Sequence, residues 1–401
     1  MSPATPLVIA ADAWVGDRFG GAYKIASELA MFAAQGGRDV HYVCAAVDGR
    51  TGMASESGVT LWRYAPAPAG SGAWRRYRGH LQGASAALRL AGARIGRPFV
   101  LNGHGPLPYF AALRCRDLPL SRRVMSVHSP LAEEYAANCG GHMGPLQALA
   151  HTAFRSIERR CYAGSDAIQC FSRFIAGRIE AAATRPTPKV TVCPGYVDYA
   201  PMALDMPRAE ARRRLQLPFW QTGQTCFFSL RRHAPRMGLD RLVRAFARVR
   251  REAPQRPCRL ILGGDGPQTA MLRELARELG IENEVHFAGR IDEAVKALHY
   301  RAADCFVLPT IALEGFGLIV LEAFAAGTPV IATPVGAIPE VVDGHGVLTE
   351  GADEQSIARA MLAFLASGPA GDEAARRDYA KSFDKAVVLP RLEGVVMGEA
   401  A

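Results

Sequence analysis

The sequence predicts an α/β protein made of two doubly wound, Rossmann-like domains in tandem. Three observations point there. Short β-rich runs alternate with helical stretches along the whole chain, which implies parallel sheets covered by helices on both faces. The alternation restarts near residue 225. A length of 401 residues also favours two domains over one.

Taken in order, PLVIAAD reads as the first strand. GGAYKIASELAMFAAQGG reads as a helix, with apolar residues at helical spacing and glycines at both ends. DVHYVCAAV, RPFVLNGHG, RRVMSVHSP, SDAIQCFS and KVTVCPG read as the strands that follow. The stretch from Asp198 to Gly223 joins the halves, and its core, MPRAEARRRLQLP, is expected to be a short helix closed by its proline, with Arg212–Arg214 on a solvated face. The second half offers TCFFSLRR, CRLILGGDG, EVHFAGR, ADCFVLPT and TPVIATP as strands, and AKSFDKAVVLPRLEGVV as an amphipathic tail. The expected division is 1–200, 201–380 and a 381–401 segment packing back on the first domain. Ligands of open parallel sheets bind beyond the carboxyl ends of the strands, so two facing sheets would leave a cleft between the domains.

Composition narrows the function classes. The net charge is +9, and only five of the 47 basic residues are lysines, Lys24, Lys189, Lys296, Lys381 and Lys385. The arginine and alanine bias suggests a bacterium with a GC-rich genome. A modest positive excess suits phosphates or an anionic membrane surface. Nucleic acid is not suggested, because no basic stripe is interleaved with stacking aromatics. Nine cysteines without a CxxC pair read as reduced thiols of a cytoplasmic protein. No signal peptide or membrane-length apolar run is visible, so the expectation is a soluble chain, at most peripheral to the inner membrane face. WRRYRGH, at Trp74–His80, reads as a solvated helix start or as a contact for an anionic acceptor or membrane.

EGFGLIVLEAFAAGTPVIATPVGAIPE poses the central question. The helix expected to begin at Gly317 is apolar nearly all round, which marks it as buried, yet it carries Glu322. A buried carboxylate is costly unless hydrogen-bonded. It accepts from ligand hydroxyls, such as a ribose, or else it is partly exposed or held in an internal ion pair. Glu314 stands eight positions earlier, and Gly315-Phe316-Gly317 brings bare N–H groups to a helix start, a ready anion site. Carboxylate, phosphate cradle and second carboxylate together describe a nucleotide-sugar site.

The E-x7-E spacing of Glu314 and Glu322 resembles that of the retaining glycosyltransferases of family 4, which have the GT-B fold. SLRRHAPRMGLDRLVRAFA, LILGGDGPQTAMLRELARELGIENEVHFAGRI and GGAYKIASELAMFAAQGGRDVHYV extend the resemblance in the same order over most of the chain. It implies that Glu314 contacts the donor sugar, that Glu322 contacts the ribose, and that the backbone from Gly315 through Phe316 and Gly317 to Leu318 holds the diphosphate. It implies that Arg232 neutralises the diphosphate, while Met237 stands where the family has a lysine and Arg236 is the candidate replacement. Arg231, Arg232 and Arg236 otherwise read as a solvated basic turn. Gly264 and Asp265 would border the nucleotide, the backbone at Arg290 the base, and Gly20 and Gly21 the diphosphate. His128 matches the family histidine beside the donor sugar and ranks above His104. Ser172 resembles a later strand-end position, and PGYVD at Pro194–Asp198 departs from the family's PNGVD.

The expected activity is transfer of a hexose from a nucleotide diphosphate sugar, UDP- or GDP-linked, to an acceptor hydroxyl with retention, without a cofactor or a required metal. The alternatives are a sugar-nucleotide-binding protein without transferase activity, or another GT-B enzyme such as an epimerase or phosphorylase. An NAD-binding oxidoreductase would need GxGxxG after the first strand, and ADAWVGDRFGGA does not fit.

Overall fold

The computed structural model describes residues 4–17, 20–47, 49–68, 70–139, 143–183, 188–217 and 223–399. They divide into two compact units, one of Met1–Glu133, Met143–Gly195 and Val388–Ala401, the other of Glu134–His142 and Tyr196–Val387.

The first unit holds an eight-stranded sheet: β1 (Leu7–Ala10), β2 (Val40–Ala45), β3 (Gly52–Glu56), β4 (Val59–Tyr64), β5 (Phe99–Gly103), β6 (Leu120–Val127), β7 (Ala167–Cys170) and β8 (Val190–Val192). Its order is β3-β4-β2-β1-β5-β6-β7-β8. All neighbours are parallel except β3 and β4, an antiparallel hairpin at the edge. The hairpin corrects the expectation of a wholly parallel sheet. GMASE is short and largely exposed, as suits an edge strand, so apolar runs do not reveal it. Its turn is made by Ser57 and Gly58, both at positive φ (51° and 80°), the geometry that lets two-residue hairpins twist correctly. The core gathers Val8, Leu101, Met125 and Ile168 from the strands with Leu88, Phe110 and Ile175 from the helices.

The second unit holds six parallel strands: β9 (Thr225–Leu230), β10 (Cys258–Gly263), β11 (Val285–Gly289), β12 (Cys305–Leu308), β13 (Val330–Ala332) and β14 (Val347–Leu348), in the order β11-β10-β9-β12-β13-β14. Phe227, Leu260 and Val307 pack with Leu242, Phe246 and Met361 of the covering helices. Strand order reverses at β1 in the first unit and at β9 in the second. The loops after β1 and β5, and after β9 and β12, therefore flank the two switch points, where open α/β sheets bind ligands.

In the joining stretch the helix is Arg208–Leu215, and it ends on Gln216 in the left-handed region (φ 50°). The proline expected to close it lies outside the described residues. Arg212 is not solvated as expected. Its Nε donates to the Ala302 carbonyl at 3.0 Å and its Nη2 to Asp304 Oδ2 at 2.6 Å. The tail forms the helix Lys385–Met397, which lies in the first unit from Val388 onward. There Glu393 accepts from Arg38 Nε at 2.9 Å. All nine cysteines are free thiols. Among the described residues no helix is long and apolar enough to cross a membrane.

Candidate active site

In the second unit, β9 and β12 are neighbours, and the loops that leave them are tied to each other and to the turn after β10. Arg231 N donates to Gly263 O at 3.0 Å, His233 N to Asp265 O at 3.0 Å, and Ile311 N to Arg236 O at 3.0 Å. Two glycines permit this approach. A Cβ on Gly238 (φ 70°) would stand 1.9 Å from Pro309 O, and one on Gly264 (φ 106°) would stand 1.9 Å from Arg231 O.

These loops place Glu314 beside a cation. Arg231 Nη2 donates to Glu314 Oε2 at 2.7 Å, and Thr310 Oγ1 reaches the same oxygen at 3.4 Å. Both side chains of the ion pair are largely withdrawn from solvent, at 8% and 15% exposure. Arg231 also lies against the Met237 sulfur, at the position where the resembled family carries a lysine. The reading of Arg231 as part of a solvated basic turn therefore fails. Arg232 is exposed, and among the described residues its side chain has no polar partner. Arg236 donates to the Leu313 carbonyl at 2.9 Å and to Glu134 Oε1 at 3.0 Å, so its guanidinium already holds the backbone just ahead of Glu314.

Gly317 adopts φ 96° and caps the helix Leu318–Ala325. Among the described residues the N–H groups of Phe316, Gly317, Leu318 and Ile319 donate to no protein acceptor, as expected for a first helical turn. Phe316 is buried, and its ring lies 6.2 Å from that of Phe383.

Glu322 has partners for both oxygens. Lys296 Nζ donates to Oε1 at 2.7 Å, and Tyr300 OH donates to Oε2 at 2.9 Å. Lys296 also binds Glu293 at 2.8 Å. Burial would lower the Lys296 pKa, but the two carboxylates outweigh it and the net shift is upward. Burial, then the Glu322 charge, pushes the Tyr300 hydroxyl well above its ordinary value. The internal ion pair weighed as the alternative for Glu322 is thus present, and each carboxylate oxygen keeps a second lone pair for another donor.

Asp265 accepts from Gly266 N at 2.7 Å and Thr269 Oγ1 at 2.6 Å, which hold its pKa down. It fixes the turn after β10 around Gly264. Arg290 follows β11 and is exposed. Sequence reasoning missed Arg231, Thr310, Lys296 and Tyr300. One signal was available for two of them. Lys296 is one of only five lysines, and EAVKALHYRA sets Tyr300 four residues on, on the same helical face.

In the first unit, Gly20 caps the helix Gly21–Gln35, with Gly21 as its first residue. Ser172 Oγ accepts from Ile175 N at 3.2 Å, so it caps the helix Arg173–Ala182. His104 follows β5 and His128 follows β6. The two rings meet at 3.0 Å, and His128 stacks on Phe171 with centroids 4.6 Å apart. Burial lowers both, His128 to about 3 and His104 well below its ordinary value, so both are neutral at pH 7. Among the described residues, no group of three or more His, Cys, Asp or Glu side chains could hold a metal.

Comparison with known proteins matches both halves. Residues 19–200 match the model described as Glycosyltransferase Family 4, and residues 223–367 match Glycosyl transferases group 1. The chain belongs to glycosyltransferase family 4. This family 4 chain is 31% identical over 256 residues to a GDP-mannose-dependent α-(1-6)-phosphatidylinositol monomannoside mannosyltransferase of Mycolicibacterium smegmatis, covering 62% of this chain and 63% of the relative. It is 41% identical over 170 residues to a D-inositol 3-phosphate glycosyltransferase of Kineococcus radiotolerans, covering 40% and 38%. The matched part thus spans less than two thirds of these relatives' lengths. Among solved structures, sucrose-phosphate synthase from Thermosynechococcus elongatus superposes with a TM-score of 0.82 at 20% identity over 98% of both chains. The fold is GT-B, two Rossmann-like domains.

Proposed function

We propose that this family 4 chain is a retaining glycosyltransferase that moves a hexose from a GDP- or UDP-sugar to an acceptor hydroxyl. One observation carries the reading: unpaired N–H groups at Phe316–Ile319 open beside the Arg231–Glu314 pair at a strand switch point. The helix start and the Arg231 guanidinium would take the diphosphate, whose charge grows as the glycosidic bond breaks. Glu322 would accept from the ribose with its remaining lone pairs. Glu314, already ion-paired, suits acceptance of sugar hydroxyls better than nucleophilic attack. Departing phosphate would then assist the acceptor's deprotonation on the same face. Relatives that use GDP-mannose support a sugar-nucleotide donor, and those named for phosphatidylinositol mannoside and inositol phosphate support a hydroxyl-rich acceptor. Neither metal nor cofactor is part of this reading.

Reduced thiols and use of a nucleotide sugar favour a cytoplasmic location. Trp74, 73% exposed beside Arg75, Arg76 and Arg78, would give peripheral contact with an anionic membrane, for which binding to anionic vesicles is the check.

The test is a thermal-shift panel of GDP, UDP, ADP and NAD, followed by nucleoside diphosphate release from GDP-mannose and UDP-glucose. GDP or UDP should raise Tm, because a ligand that binds only the folded state stabilises it. Arg231→Ala and Glu314→Ala should each cut turnover roughly a hundredfold. A shift with NAD alone, or full turnover in both variants, would refute the reading.

A further inference from the structure

We propose that two helices projecting from the carboxyl edge of the first unit's sheet form a two-part anchor for an anionic lipid bilayer, with Leu146 and Leu149 entering its surface and Arg75, Arg76 and Arg78 resting on its headgroups. The inference extends the contact proposed for Trp74 to a second helix, and it does not depend on the transferase reading.

Packing levels show how far each helix projects. The helices Ala73–Ile95 and Pro145–Ala163 lead back to the amino ends of β5 and β7, so their own N-terminal ends point outward from the carboxyl edge. The first meets the end of β4 at Gly83, where an added Cβ would stand 2.5 Å from the Tyr64 ring. Residues 73–82 therefore run on for about 15 Å past the strand ends. The second meets the chain leaving β5 at Cys161, whose Sγ lies 3.4 Å from Pro106 O. Glu158, one turn earlier, accepts from Ala132 N at 3.2 Å, just after β6. Residues 145–157 then run on for about 20 Å. The shorter helix Pro106–Arg114 packs against both and starts level with the edge.

The longer arm is bare. Leu146 is 84% and Leu149 68% exposed. The apolar stripe that is buried at Cys161 and Ile157 continues outward at helical spacing through Phe154 and Ala150 to Leu146. A helix of this length without packing is marginal in water, so a surface that covers the two leucines stabilises the arm.

Charge decides what covers it. No Asp or Glu occurs from Ser57 to Arg116, nor from Tyr135 to Ile157. Arg75, Arg76 and Arg78 are exposed on the shorter arm, and the longer arm carries no Asp, Glu, Lys or Arg before Arg155. Asp12 and Glu133 lie near the level of the strand ends, and Glu133 is paired with Arg178. An acid-free pair of arms, one cationic and one apolar, complements anionic headgroups over hydrocarbon.

The experiment sediments the full chain with vesicles of phosphatidylcholine, with and without phosphatidylglycerol, at low and high salt. The native chain should bind the mixed vesicles at low salt and scarcely bind phosphatidylcholine alone. Arg75→Gln/Arg76→Gln/Arg78→Gln should lower that binding about a hundredfold and remove most of its salt dependence. Leu146→Ser/Leu149→Ser should lower it about tenfold and keep the salt dependence, with Tm unchanged because both side chains are exposed. Equal binding by the leucine variant and the native chain overturns the anchor and leaves the Trp74 contact standing. Equal binding to neutral vesicles overturns it too, as does a native dimer that the leucine variant breaks, which would assign the arm to a second copy. Diphosphate release from GDP-mannose or UDP-glucose, measured without vesicles, separates the two readings. Its absence with the vesicle pattern intact sinks the transferase reading and spares the anchor.

Discussion

At the scale of single residues, the candidate site depends on backbone that only glycine can supply. Gly264 and Gly280 share positive φ, 106° and 66°, but differ in surroundings. A Cβ at Gly264 would overlap Arg231 O, whereas one at Gly280 meets nothing within 4 Å. Gly280→Ala should therefore cost about 1 kcal/mol, the left-handed penalty alone. Gly264→Ala should cost about 3 kcal/mol, because the loop carrying Arg231 must also move. Denaturant midpoints of the two variants decide this, and equal losses would show that the close approach is not needed.

Sequence reasoning saw the strand-end glycines and both glutamates because residue type and spacing are visible in one dimension. It gave the diphosphate to Arg232, and nothing in it marked Arg231 as the partner of Glu314. Neighbours on a chain point in different directions, and which of them turns toward Glu314 is set by the path of the loop after β9. Met237 showed that a lysine was missing, but not that Arg231 lies against its sulfur.

At the scale of elements, the apolar helix Leu318–Ala325 keeps its carboxylate because a second helix, Glu293–Ala302, answers it with Lys296 and Tyr300. Lys296 is 9% and Glu322 12% exposed. Removing one partner leaves a poorly solvated charge, so Lys296→Met should lower stability by about 3 kcal/mol. Adding Glu322→Gln should recover much of that, since the uncompensated carboxylate is then gone. Additive losses in the denaturation cycle would argue that the pair is not coupled. Each helix was legible from its own pattern. Their pairing was not, because 26 positions separate Lys296 from Glu322 and only the covering of the sheet brings them together. The edge strand β3 escaped for the opposite reason: it buries little, so it leaves a weak apolar signal.

At the scale of the whole molecule, three buried groups give stability a definite pH dependence. His104 and His128 have folded pKa values below the ordinary 6.5, so the unfolded chain binds more protons and stability is lost as pH falls below about 6.5. Glu158 acts the other way. Burial raises it to about 7, despite its acceptance from Leu131 N and Ala132 N, so its contribution is lost as pH rises from about 4.5 to about 7. Between about 4.5 and 6.5 these two histidines oppose one glutamate, and the lowered His41, His80, His233, His286 and His299 act in the same direction as the histidine pair, so acidification destabilises the fold. Melting temperature should fall on acidification through that window, and more steeply in Glu158→Gln, where the opposing group is absent. A variant with a shallower acid limb than the native chain would contradict this assignment.

The sequence by itself determined the α/β class, the restart near residue 225, the family, and the stretch bearing Glu314, Gly317 and Glu322. These depend on periodicity, composition and short spacings, which local physics imposes on every strand and helix start. Tertiary structure alone decided which side chains answer the buried charges: Arg231 for Glu314, and Lys296 and Tyr300 for Glu322. Burial makes each of these charges require a partner. Which partner it finds depends on elements distant in sequence that parallel sheets, with their long crossover connections, set side by side.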